Sequence, residues 1–208
     1  SKVTGNPCIA PSSIESPLYK EVPVELSENE IESLIEMWVD ASWRARRAGF
    51  DGVEVHGGHG YLIAQFMSPH TNKRTDQWGG TFRNRMRFPE TIVKEIRRRC
   101  GKDFIIGFKF SAYEHVKDGV TPEIGVQIAQ FMENCGVDYL HISSTSSTIP
   151  NHSYTEYPSV PSMYDSDSPL VPLAAKVKEV TSIPVMAAGG ITEPNQAESI
   201  IADGNADM

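Results

Sequence analysis

The chain has 208 residues, 39% of them hydrophobic and 22% charged, and a formal net charge of −8. That composition suits a globular chain with one sizeable core. Without a basic stripe it argues against a nucleic-acid partner, and no apolar run approaches the roughly 20 residues that span a bilayer.

Residues 1–26 are rich in Pro, Ser and Val, lack periodicity and carry no apolar secretory signal, so an irregular arm is expected. Then comes LSENEIESLIEMWVDASWRARRAGF, a predicted helix. Ser27 and Glu30 form an S-x-x-E capping box, each side chain serving the other's backbone N–H. Ile31, Leu34, Ile35, Trp38 and Ala41 fall at helical spacing, and Gly49 suits a left-handed cap. The strand FDGVEVH follows directly.

The pattern recurs. TFRNRMRFPETIVKEIRRRCG reads as a helix with Thr81 as cap, Pro89 as a kink or restart, and a basic end that favours the helix dipole. It leads to the strand FIIGFKFS. TPEIGVQIAQFMENCG has Thr121 as cap and Pro122 in the first helical position, and leads to VDYLHIS. LVPLAAKVKEVTS leads to IPVMAAGG, and EPNQAESIIADG leads to NADM. The joints rhyme, as Gly49-Phe-Asp51, Gly136-Val-Asp138 and Gly204-Asn-Ala-Asp207.

Alternating helices and strands, with strands read as apolar on both faces, predict an α/β fold with a helix-covered parallel sheet. Periodicity alone allows either a doubly wound sheet or a (β/α)8 barrel. No G-x-G-x-x-G follows the first strand, which weakens a dinucleotide-binding reading. Polar residues gather at the C-terminal strand ends: His56 and His59, Ser111, His141 and Ser143, then Gly189 and Gly190. Barrel enzymes keep their sites there.

The first such end reads VEVHGGHGY. Its imidazoles and phenol could be metal ligands, a nucleophile's base, or hydrogen-bond donors. Donors fixed where an enolate-like oxyanion develops would stabilise it. Tyr61, protonated at neutral pH, could act as a general acid. A zinc site would need a third ligand beside His56 and His59, and His141 could supply it. Cys8, Cys100 and Cys135 are an odd, unclustered set. They argue against a disulfide framework or a Cys-rich metal site and make a reducing cytoplasm the default. Lys109 inside an apolar run needs a partner or an anion. Glu54, on the same face of its strand as His56, could neutralise it. Gly189 and Gly190 could let backbone N–H groups approach a phosphate.

The stretch AGFDGVEVHGGHGYLIAQFMSPHTNKRTDQWGGTFRNRMRF, with Asn72, Arg74, Asp76, Trp78, Gly79 and Gly80 in an N-x-R-x-D-x-(aromatic)-G-G loop, resembles the Old Yellow Enzyme family of FMN-dependent oxidoreductases. The resemblance covers nearly the whole chain and is weakest in residues 1–20 and 146–168. It implies a TIM barrel with FMN at its C-terminal mouth, FDGVEVH, FIIGFKFS, VDYLHIS and IPVMAAGG being barrel strands four to seven and NADM the start of the eighth. The expected organisation is therefore an arm over residues 1–26 and a partial barrel over 27–208, roughly the second half of the whole. Such a piece would be part of a longer chain or would self-associate, because its inner face, including Phe108, Phe110 and Tyr139 or their alternating neighbours, would lie open.

The resemblance also implies roles. NAD(P)H would reduce the flavin, which would reduce an activated alkene of enone or enoate type. His56 and His59, a His-His variant of the family's more usual His-Asn, would hold the activating oxygen, and Tyr61 would protonate the alpha carbon. Lys109, where the family usually has Arg, would lie near flavin N1 and the C2 carbonyl, and Gly189 and Gly190 beside the phosphate. Asn72, Arg74 and Asp76 would pin their loop. An iron–sulfur cluster, present in some relatives, would need a downstream segment. The alternatives are a non-catalytic partial barrel without a flavin site of its own and a zinc-dependent hydrolase on a TIM-like scaffold.

Overall fold

The computed structural model describes residues 5–16, 20–144 and 168–208. Two short strands, β1 (Ile9–Ala10) and β2 (Val24–Glu25), pair in parallel near the N-terminus. The arm expected to be irregular thus carries a small ladder. Helix α1 spans Glu28–Arg47, and its capping box forms as predicted, with Ser27 N–H donating to Glu30 Oε2 at 2.8 Å. Strand β3 (Gly52–Gly57) follows, then a short helix α2 (Leu62–Met67) that the sequence pattern did not announce. Helices α3 (Phe82–Arg85) and α4 (Arg87–Cys100) divide at Met86, with Pro89 inside the first turn of α4. Proline is tolerated there because that N–H has no intrahelical acceptor.

Strand β4 (Ile105–Ser111) leads to α5 (Pro122–Cys135), capped by the Thr121 side chain. Then come β5 (Tyr139–Ser143), α6 (Val171–Lys178), β6 (Val185–Ala187) and α7 (Pro194–Ala202). The sheet runs β3-β4-β5-β6, every pair parallel. Each connection steps one strand onward in the same direction. Right-handed crossovers of that kind place successive helices on one face and curl the sheet. A doubly wound sheet would reverse direction at a switch point. The architecture is therefore part of a (β/α) barrel. Beyond β6, Asp207 N–H donates to Val185 O and Ala187 N–H to Met208 O, so the next strand is already being laid down.

The two faces of the sheet differ. Ile106, Phe108, Phe110, Leu140, Ile142 and Val185 are fully buried against the helices. Burial of such side chains stabilises by about 1.5–3 kcal/mol each. The opposite face carries Glu54, His56, Lys109, Tyr139 and His141, none of them buried. Strands apolar on both faces were expected, and the register corrects this. Phe108 pairs with Leu140, one place from the Gly107–Tyr139 pair. Phe108 and Phe110 therefore belong to the outer layer and only Tyr139 to the lumen.

Candidate active site

His56 is the penultimate residue of β3 and stands on the lumen face, while Gly57, whose added Cβ would lie 2.7 Å from Phe108 Cζ, faces the helices. The chain then turns through Gly58, His59 and Gly60. His59 (φ 58°) and Gly60 (φ 69°) are both left-handed, which is uncommon for a residue with a Cβ. The turn folds His59 back over the sheet. Its backbone N–H donates to Ser111 Oγ at 2.9 Å, and its Nε2 lies 2.6 Å from Ser143 Oγ. Tyr61, 60% exposed, N-terminally flanks α2. The His56 ring centroid lies 5.1 Å from that of His59 and 5.5 Å from that of Tyr61.

The register brings further residues alongside. His56, Lys109, His141 and Met186 occupy one row across the four strands. Glu54, one row lower, does not pair with Lys109 as expected. Its Oε2 accepts instead from Tyr139 Oη–H and from His141 Nδ1–H, both at 3.0 Å. Lys109 forms no ion pair with a described residue. Gly107 makes the Tyr139 contact possible, since a Cβ there would lie 2.1 Å from Tyr139 Cζ.

The electrostatics follow from burial and from this crowding. Burial, then the neighbouring His56 and Lys109, depresses the His59 pKa to about 4. The His56 pKa is lowered too, first by burial and then by Lys109. Both rings are therefore neutral at pH ~7, and each retains one N–H donor. Burial, then Glu54, pushes the Tyr139 phenol up to about 12. Past β6, Gly189 (φ 104°) and Gly190 (φ 71°) make a turn that side-chain-bearing residues would strain. Neither glycine N–H has a partner among the described residues. At about 4.8 Å per strand, roughly 14 Å separates the histidine end of the face from this turn.

The sequence profile described as the NADH:flavin oxidoreductase / NADH oxidase family matches residues 5–208. The chain belongs to this flavin oxidoreductase family. It is 46% identical over 202 residues to an NADH oxidase of Thermoanaerobacter brockii, covering 96% of this chain and 30% of that protein. It is 34% identical over 203 residues to a multifunctional alkene reductase/demethylase of Caballeronia cordobensis, covering 97% and 29%. A 2-naphthoyl-CoA reductase solved with 2-naphthoyl-CoA superposes with a TM-score of 0.85 at 31% identity, over 96% of this chain and 30% of that one. The chain thus spans about 30% of the length of these relatives.

The lumen face suits the flavin named in that family's description. Among the described residues Lys109 is a cation without an ion-pair partner, and the Gly189-Gly190 turn leaves its N–H groups for an anion. Among the described residues no group of three or more His, Cys, Asp or Glu is arranged to hold a metal ion. His141, the third ligand a zinc site would need, is tied to Glu54. The three cysteines are free, Cys8 exposed, Cys135 half-buried and Cys100 buried. The N-x-R-x-D loop pins itself and more. Asn72 Nδ2 donates to Phe66 O and Trp78 O, and Arg74 grips Asp76 through Nε and Nη2. Arg74 Nη1 also donates to Pro11 O and Leu26 O, tying down the arm. Ser111 and Ser143, which fix His59, stood in the sequence as strand-end polar residues without an assigned task. The stretch 146–168 lies, apart from Ser168, outside the described residues.

Proposed function

We propose that the complete protein is an FMN-dependent oxidoreductase that uses NAD(P)H to reduce an activated alkene of the enone or enoate type. The observation that carries this reading is the convergence of His56, His59 and Tyr61 on the lumen face that also presents Lys109, which has no ion-pair partner among the described residues. Bound FMN would supply the hydride, drawn from NAD(P)H and passed from N5 to the beta carbon of the alkene.

The chain's own residues bind, orient and protonate. His56 and the free nitrogen of His59 donate to the oxygen that activates the alkene. Neutral imidazoles suit that task, because a fixed donor stabilises the developing enolate charge without itself giving up a proton. Ser143 holds the His59 ring, so its donor is preorganised. Tyr61 gives its phenolic proton to the alpha carbon. Lys109 would sit against the pyrimidine edge of FMN, where negative charge builds on reduction, and the N–H groups of Gly189 and Gly190 would hold its phosphate. The test is anaerobic spectrophotometry of the purified complete protein. NADH or NADPH should bleach a flavin spectrum and an added enone should restore it. Bleaching that no enone reverses would remove the alkene from the assignment.

A further inference from the structure

One chain of contacts in the lumen is not used by the chemistry above. Glu54 Oε2 takes two donors, Tyr139 Oη–H and His141 Nδ1–H. With its proton on Nδ1, a neutral imidazole keeps a bare lone pair on Nε2. That Nε2 is buried and has no hydrogen-bond partner among the described residues. A buried acceptor left unpaired is costly, and Nε2 is closed to solvent. A donor for it must therefore come from a neighbouring side chain that turns toward it.

Lys109 stands one strand away with the opposite need. It is half-buried, it pairs in register with His141, and it forms no ion pair with a described residue. Registered side chains of adjacent parallel strands leave the sheet on the same face, about 4.8 Å apart. Side-chain torsions alone can bring the ammonium to the imidazole. Lysine is a point charge on a flexible stem and, unlike a planar guanidinium, does not orient itself. An acceptor beside it would supply that orientation.

We propose that Lys109 Nζ–H donates to His141 Nε2, completing a relay from the Glu54 carboxylate through His141 to the Lys109 ammonium. No proton is transferred, and the relay pairs one negative with one positive charge across a neutral ring. His141 is then a positioning residue, acting through Lys109, and Glu54 fixes its tautomer. Tyr139 is the second donor that keeps Glu54 in place. What Lys109 is positioned against rests on the flavin reading, but the relay itself does not.

Two measurements on the complete protein separate these. In the flavin-free protein with nitrogen-15-labelled histidine, NMR should show His141 protonated at Nδ1 and bare at Nε2, with the Nε2 signal moving in Lys109→Met. A proton on Nε2, or a signal indifferent to Lys109→Met, overturns the relay. In the flavin-loaded protein, His141→Phe should lower the FMN midpoint potential and weaken FMN binding about tenfold, as loss of a charge-assisted hydrogen bond does. His141→Gln, whose amide oxygen can accept, should restore most of both. In a Lys109→Met background His141→Phe should change neither. Equal shifts in both backgrounds would show that His141 does not act through the lysine. If the protein takes up no FMN, the nitrogen signal alone decides the relay and it is the flavin reading that fails.

Discussion

His59 is held at φ 58° by two strands at once, through Ser111 to its backbone and Ser143 to its ring. Its pKa in the folded protein, about 4, lies well below the ordinary histidine value of ~6.5. The folded state therefore binds fewer protons than the unfolded one. The His59 contribution to stability is fully present above pH ~6.5 and is lost progressively as pH falls toward about 4. Thermal denaturation followed across that range should show a falling melting temperature, and His59→Asn should flatten the curve. An unchanged slope in the variant would assign the acid sensitivity to other groups. Tyr61 tests the other end of the triplet. Tyr61→Phe should slow alkene reduction by about 10²–10⁴-fold and leave flavin reduction by NAD(P)H nearly unchanged, because only the former needs a proton donor. Stopped-flow measurement of the two half-reactions decides it, and equal slowing of both would refute the assignment.

Between elements, Arg74 joins three pieces of chain. It is 6% exposed at the side chain and binds Asp76, whose pKa its hydrogen bonds lower. It also holds the carbonyls of Pro11 and Leu26 on either side of the arm. Arg74→Ala should cost roughly 2–4 kcal/mol, since it leaves a partly buried carboxylate and two carbonyls without their donor. Arg74→Lys should not rescue it, because lysine lacks the fork. Chemical denaturation gives the first figure, and limited proteolysis should cut the arm first. Elements of this size were legible where their signal is local. Ser27, Thr81 and Thr121 cap the helices that the sequence assigned to them, because a cap is read within three residues. The β1–β2 ladder was not legible, since two-residue strands carry no period and depend on the distant Arg74. Nor was the outward placement of Phe108 and Phe110, because FIIGFKFS is apolar at nearly every position and only the register tells its two faces apart. Likewise the His59–Ser143 contact spans 84 residues, which no local pattern encodes.

Across the whole sheet the two ends have separate work. At the base, the rhyming aspartates do one job twice. Asp138 Oδ2 accepts from Ile106 N–H at 2.6 Å, and Asp207 Oδ2 from Val185 N–H at 2.9 Å. Each carboxylate fastens its strand to the one before it, and each also holds a cation of the preceding helices, Arg97 or Lys178. Asp138→Ala should therefore lower stability by about 1–3 kcal/mol with no change in FMN affinity. Opposite, the C-terminal mouth gathers His59, Tyr61 and the Gly189-Gly190 turn, with His56 and Lys109 together one row below. This division is the usual one for barrel enzymes. On the function proposed, this lumen face binds the flavin. The most direct test is a fluorescence titration of the complete protein, freed of cofactor, with FMN. One FMN per chain should bind, with affinity at least about tenfold weaker in Lys109→Met and in Gly190→Val. Absence of FMN binding, or binding untouched by either substitution, would contradict it.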